Sequence, residues 1–253
     1  MSGLEGDILK LAIMQPYLFP YIGYWQLINV VDKFVIFDDV NFIKGGWINR
    51  NNILVNKQPK QIHLKLSKVS QNKRINEVEL LQNNESNIDK LLKTIETSYK
   101  KAPFFNEVFP LVEKILKYDE KSVALFLAYS IKEVCDYLKV ETSLILSSEV
   151  KKSNVLRGQD KIIDICKRLG AQQYINAIGG MELYTSNFFD SKGIQLRFLK
   201  TEEIIYTQFN HDFVGNLSII DVMMFNSIDD IKIMLEQYKL VSDDEEAYML
   251  FNG

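Results

Sequence analysis

The sequence predicts an α/β protein built on a mostly parallel sheet of about five strands. Two observations carry that prediction. Short unbroken apolar runs, such as Leu11–Met14 and Phe34–Phe37, each end in polar residues, as strands covered by helices on both faces do. Between and after them, apolar residues recur at helical spacing, so strands and helices alternate along the chain.

The elements follow in order. Leu11–Met14 is a strand that stops at Gln15-Pro16, because proline has no N–H to give to a sheet. From Pro20, which suits a first helical turn, Tyr24, Leu27, Ile28 and Val31 mark a helix. Phe34–Phe37 is the next strand and closes on Asp38-Asp39. Ligands of parallel α/β sheets bind beyond the carboxyl ends of the strands, so Gln15 and Asp38-Asp39 are expected at one crevice. A polar segment interrupted by glycine, Asn41–Asn52, leads to a hairpin whose strands, Ile53–Val55 and Ile62–Leu66, flank a turn at Asn56–Lys60. Val78–Leu81 adds a short strand.

From about Ile88 to Leu138 the period is helical, with breaks near Ala102-Pro103 and Tyr118-Asp119. Three helices are expected, forming a lobe inserted at about 86–140 in a single α/β domain that spans 11–253. Alternation then resumes with a strand at Ser143–Leu146, a helix at Gly158–Leu169, and strands at Tyr174-Ile175 and Ile194–Leu199. A helix at Asn216–Phe225 begins near Leu217 or Ser218. The last helix covers Ile231–Leu240, with Asp229 and Asp230 in its first turn, where acids complement the helix dipole.

Composition excludes several classes. Of the 253 residues, 47% are hydrophobic and 25% charged, a globular balance. No apolar stretch approaches the ~20 residues of a membrane helix, so no membrane insertion is expected. The start, MSGLEGDILK, carries acids and lacks a signal peptide's basic start and long apolar core. It reads as a flexible leader, 1–10, and a cytoplasmic location is expected. Cys135 and Cys166 lie in apolar helical patterns and read as buried reduced thiols. With two histidines, no Cys/His cluster and a net charge of -3, neither a structural zinc site nor nucleic-acid binding is expected. No cofactor is implied, and no motif encodes the oligomeric state.

The segments MQPYLFPYIGYWQLI, FVIFDDV, KGGWINRNNI, YINAIGGMELY, GIQLRF and FVGNLSIIDVMMFN together resemble the WbqC-like protein family. The resemblance runs from about Leu11 to the helix after Ser218. That family is known chiefly from bacterial O-antigen and capsule gene clusters, so the resemblance implies a role in surface-polysaccharide assembly on nucleotide-linked sugars. The opening strand, Pro-rich turn, helix and strand also resemble the nucleotidyltransferase-type Rossmann-like fold. Pro20, Gly23 and Tyr24 occupy the place of that superfamily's phosphate-holding turn. There is one residue fewer between proline and glycine, and no paired histidines are present.

The candidate site residues follow from their chemistry. Gln15 and Tyr17 would line a pocket beside the first helix, whose N–H groups suit a phosphate; a stiff buried turn is the alternative. Asp38 or Asp39 would accept sugar hydroxyls, hold a divalent cation or act as a base, only one of them facing the ligand; capping of the next loop is the alternative. Lys44, Trp47, Asn49, Arg50 and Asn51 supply many donors, and Arg50 suits a bidentate grip on phosphate. His63, on the polar side of its strand, is the candidate general base, with His211 a lesser one. Asn176, Gly179 and Gly180 follow a short strand toward the same crevice. Tyr206, Gln208, Asn216, Ser218 and Asp221 form a last polar set, in which Ser218 also suits a helix cap.

The reading that gathers these is transfer of an acyl or aminoacyl group from an unidentified donor to the amine of a nucleotide-linked amino sugar. In it Lys44 and Arg50 bind diphosphate and His63 removes the amine proton. Two alternatives stay open: a nucleotidyltransferase or adenylate-forming enzyme, and a non-catalytic sugar-nucleotide-binding protein.

Overall fold

The computed structural model describes residues 8–67, 69–70, 72–81, 85–153, 155–210 and 212–243. Residues 1–7 of the expected leader and His211 lie outside them. Strand β1 (Lys10–Met14) is followed by helix α1 (Ile22–Asn29) and β2 (Lys33–Ile36). The hairpin β3 (Arg50–Val55) and β4 (Gln58–His63) comes next, then a small ribbon, β5 (Leu66–Ser67) with β6 (Glu79–Leu80). Helices α2 (Glu85–Tyr99), α3 (Phe105–Leu116) and α4 (Val123–Leu138) precede β7 (Ser143–Leu146). The chain continues with α5 (Gly158–Arg168), β8 (Gln173–Ala177), α6 (Ser186–Asp190) and β9 (Gln195–Thr201). It ends with α7 (Ile219–Phe225), α8 (Ile228–Leu235) and β10 (Tyr238–Val241).

Six strands form one sheet in the order β10-β9-β8-β1-β2-β7. Five run parallel, and β10 pairs antiparallel with β9. From β1 the chain steps outward through β2 to β7, then returns across the sheet to β8 and β9. The direction therefore reverses between β1 and β8, where a doubly wound sheet opens a crevice at its carboxyl edge.

The central strands β1 and β2 are apolar after their first residues because both faces are covered. Ala12, Phe34, Ile36 and Ile175 face one apolar cluster, with Leu27 and Ile28 of α1. Leu11, Ile13, Val35 and Tyr174 face the other, with Ile162, Ile165 and Cys166 of α5. The two-residue alternation of strand side chains separates these sets. The three central helices break at the expected places, and Val108, Val112 and Ile131 join the same cluster as Phe34. Cys135 and Cys166 are buried free thiols. No helix among the described residues is long and apolar enough to cross a membrane.

The boundaries differ from the sequence reading in two places. The hairpin turns on Asn56-Lys57 alone, both with positive φ (50° and 63°), the two-residue turn whose twist matches that of the strands. This moves β4 back onto the polar run Gln58–Lys60, whose side chains are exposed. The final helix ends at Leu235, and Tyr238–Val241 leaves it to pair with β9. Left alone, the outer edge of apolar β9 would present a row of unpaired N–H and C=O groups.

Candidate functional site

The turn after β1 is pinned from three sides. Asn51 donates to the carbonyls of Leu18 (2.9 Å) and Phe19 (2.8 Å). Ser218 donates to Phe19 (2.8 Å) and Trp25 to Pro20 (2.9 Å). Phe19 sits at φ 42°, a conformation that a non-glycine residue holds only when its surroundings impose it. Asn51 and Ser218 are buried and serve this turn, while Ser218 also accepts from the N–H of Ile220 as the cap of α7 (3.2 Å). Gln15 and Tyr17 are partly buried on the turn. The Tyr24 hydroxyl donates to the Gln15 carbonyl (3.0 Å), and the rings of Tyr17 and Tyr24 lie 5.6 Å apart.

Beyond β2 the two aspartates diverge, as neighbours on extended backbone must. Asp38 is 2% exposed and accepts from the Ser148 N–H (2.9 Å) and the Asn76 amide (3.3 Å), so it ties loops together. Asp39 lines a cavity of about 300 Å³ at the carboxyl edge. Arg74, Arg157 and Lys161 line it too, with Phe37 and Tyr184 as aromatic walls. Asp39 is the only carboxylate among the described lining residues. Lys161 reaches it at 3.2 Å and lies 4.8 Å over the Phe37 ring; Lys152 stands behind at 2.9 Å.

Helix α5 opens at this cavity. Its first residue, Gly158, has φ +51° and open space around it, a conformation glycine adopts without strain. The side chain of its N-cap residue, Arg157, makes no capping hydrogen bond, and N–H groups at a helix start suit an anion.

The segment Lys44–Asn52 does not act as one unit. Arg50 folds onto its own turn, donating to the carbonyls of Gly46 (2.9 Å) and Gly45, with its guanidinium 5.6 Å from the Trp47 ring centre. Asn49 and Leu64 exchange bonds, Asn49 Nδ2 to the Leu64 carbonyl and the Leu64 N–H to the Asn49 carbonyl, each 2.8 Å. Lys44, Asn49 and His63 line a separate open depression of about 430 Å³ with an apolar floor that includes Phe42 and Leu64. The His63 side chain is exposed and bonds to no described residue. The segment that lines the first hollow with Asp39–Asn41 goes on to line the second with Phe42, Lys44 and Gly45.

At the end of β8, Asn176 is buried and accepts from the Ala177 N–H (2.9 Å). A Cβ on Gly180 would come within 2.1 Å of the Asn176 amide, so this glycine makes room for a side chain. Gly179 is exposed with open space around it. Asn216 is an exposed turn residue at φ 57°.

Tyr206, Gln208 and Asp221 do come together, within the core. Asp221 is fully buried and accepts from Tyr99 (2.8 Å), Tyr206 (2.7 Å) and Gln208 (2.5 Å). Burial first, then the Asp221 charge, pushes both phenols far above their usual range. They keep their protons and donate.

Arg74, Lys152, Arg157 and Lys161 escaped the sequence reading. One signal was present: Arg157-Gly158 opens a helix after a strand. Arg74 and Lys152 carry no such signal, since only folding brings Arg74 to the cavity and Lys152 to Asp39.

The fold and this hollow define a doubly wound α/β protein with a cation-lined cavity at the carboxyl edge of its sheet. Comparison with known proteins refines that class. The chain belongs to the WbqC-like protein family, which it matches over residues 15–233. It is 24% identical over 220 residues to a protein of Mycobacterium tuberculosis (strain ATCC 25618 / H37Rv) named "Uncharacterized protein Rv1507c", covering 86% of this chain and 93% of that one. No solved structure matches it at a significant level.

Proposed function

We propose that the protein binds a nucleotide-linked amino sugar by its diphosphate in the cavity at α5. We further propose that it transfers an acyl or aminoacyl group to the sugar's amine during surface-polysaccharide assembly. The observation that carries the binding step is the convergence of Arg74, Arg157 and Lys161 with the α5 N-terminus on a cavity lined by one carboxylate. A diphosphate brings at least two negative charges to that excess. Arginine forks suit its oxygens, and the flat walls of Phe37 and Tyr184 suit a base or sugar ring. The polysaccharide setting rests on the family.

In the transfer step the amine nitrogen bonds to the acyl carbon, the donor's leaving group departs, and the amine proton goes to a base. His63 fills that role in this reading, on the separate depression whose lining takes up the chain where the cavity's leaves it, at Phe42 after Asn41. The test is thermal-shift screening against UDP-, dTDP- and GDP-linked amino sugars, followed by donor screening. A shift with one amino-sugar nucleotide that disappears in Arg157→Ala and Lys161→Ala is expected. His63→Ala should then keep binding and lose turnover; retained turnover removes His63 from the reaction. Binding without turnover under any donor would leave a sugar-nucleotide-binding protein.

The strand order favours a second reading, nucleotidyl transfer or adenylate formation. The sheet reverses between β1 and β8, and α1 starts beside that reversal with no capping bond from the side chain of its N-cap residue Tyr21. This reading requires a shift with ATP and magnesium, and release of pyrophosphate.

A further inference from the structure

The cavity's charge arrangement continues into the wall behind it. Lys152, after β7, has a side chain only 3% exposed; it pairs with Asp39 at 2.9 Å and also donates to the Ser147 carbonyl. Ser147 donates its hydroxyl to the other Asp39 oxygen (2.8 Å), where Lys161 also pairs (3.2 Å). The Asp39 carboxylate is thus engaged by two ammonium groups and a hydroxyl. Burial by itself would raise its pKa; the hydrogen bonds from Lys152 and Ser147 and the charges of Lys161 and Lys152 outweigh this and hold it below the usual range. A carboxylate held this way is poorly suited to take a substrate's proton.

Lys161 stands in the opposite situation. It is nearly buried, and desolvation disfavours its charge. Lys152 and Arg74 repel it, and Asp39 is the group that favours its charged form. The other charged group on the cavity wall, Arg157 at the start of the same helix, is cationic as well. The aromatic groups that face it are Phe37, under its ammonium, and Tyr184.

We propose that Asp39 is a positioning residue: it fixes the Lys161 ammonium on the cavity wall and keeps it charged toward the ligand's anionic group. The anionic ligand belongs to the function proposed above; the Asp39–Lys161 arrangement is testable without any ligand. The division of roles has a consequence that simple packing does not. Removing Asp39 takes away the one favourable charge beside Lys161, whereas removing Lys152 takes away a repelling one. The two substitutions therefore move Lys161 in opposite directions.

The experiment is the pH profile of Lys161 acetylation by acetic anhydride, read by peptide mass spectrometry on the full, ligand-free chain. Only the neutral amine reacts, so the midpoint reports the ammonium. Asp39→Asn should lower the midpoint by at least about one pH unit, Asp39→Glu should restore it, and Lys152→Met should raise it. Midpoints that stay at the wild-type value, or that move the same way in Asp39→Asn and Lys152→Met, overturn the proposal. If Asp39→Asn does not fold, Lys152→Met decides alone: a rise supports the proposal, and no change or a fall overturns it. Calorimetric titration of wild-type protein with inorganic pyrophosphate separates the two ideas. Shifted midpoints without pyrophosphate binding keep Asp39 as the positioning residue and count against the diphosphate reading.

Discussion

Replacing Tyr99 by Phe removes one oxygen from the core, and the structure says what that oxygen does. Its hydroxyl donates to Asp221 at 2.8 Å and accepts from the Leu54 N–H at 2.8 Å, with no part of the side chain exposed. Losing a hydrogen bond to a buried carboxylate costs roughly 1.5–3 kcal/mol, and stranding the Leu54 N–H costs about 1–3 more. The expected loss for Tyr99→Phe is therefore roughly 3–5 kcal/mol, a large share of a typical domain's stability. Tyr206→Phe removes a donor to the same carboxylate without stranding a backbone N–H, so its expected cost is smaller, roughly 1.5–3 kcal/mol. Urea unfolding measures both, provided the m-value is unchanged. The ligand-induced rise in stability should be the same in both variants as in wild type, because neither residue lines the cavity. A Tyr99→Phe protein within about 1 kcal/mol of wild type, or a larger loss for Tyr206→Phe, would refute this account of the network. A lost ligand response in a folded Tyr206→Phe protein would return that residue to the site.

Three other substitutions and probes follow from the same geometry. Asn51→Ala strips the amide donor from the Leu18 and Phe19 carbonyls and should cost roughly 2–4 kcal/mol; urea unfolding within about 0.5 kcal/mol of wild type would show that the turn holds itself. Lys57→Gly places glycine at φ 63° and should stabilise the protein by about 0.5–1 kcal/mol, seen as a raised Tm; an unchanged or lower Tm contradicts a strained turn. Burial pushes the Cys135 and Cys166 thiols up to about 12, against about 8.5 for an ordinary thiol. Both therefore stay protonated at pH 8, and iodoacetamide should label them only when urea opens the core; rapid labelling of the native protein would refute that.

The local elements were legible because they depend on local chemistry. An apolar run ending at Gln15-Pro16 is a strand with a proline stop whatever surrounds it, and the breaks at Ala102-Pro103 and Tyr118-Asp119 separate three helices just as directly. Tyr238–Val241 was hidden for the converse reason. Its apolar spacing continues that of α8, and only the open edge of β9 makes a strand the better use of it.

The chain's own order thus determined the α/β class, the strand ends that gather at one edge, and the family. What the tertiary structure alone decided is which polar residues line the cavity at the sheet's carboxyl edge. Arg50, Asn51, Ser218 and Asp221 have the same donors and acceptors as site residues, but each binds the protein's own backbone or core. Lys152 and Lys161 are scattered in sequence and meet at Asp39, with Arg74 on the same cavity, only once the sheet has formed. A side chain's hydrogen-bonding capacity is written in its type, whereas its partner depends on contacts between segments far apart in the chain.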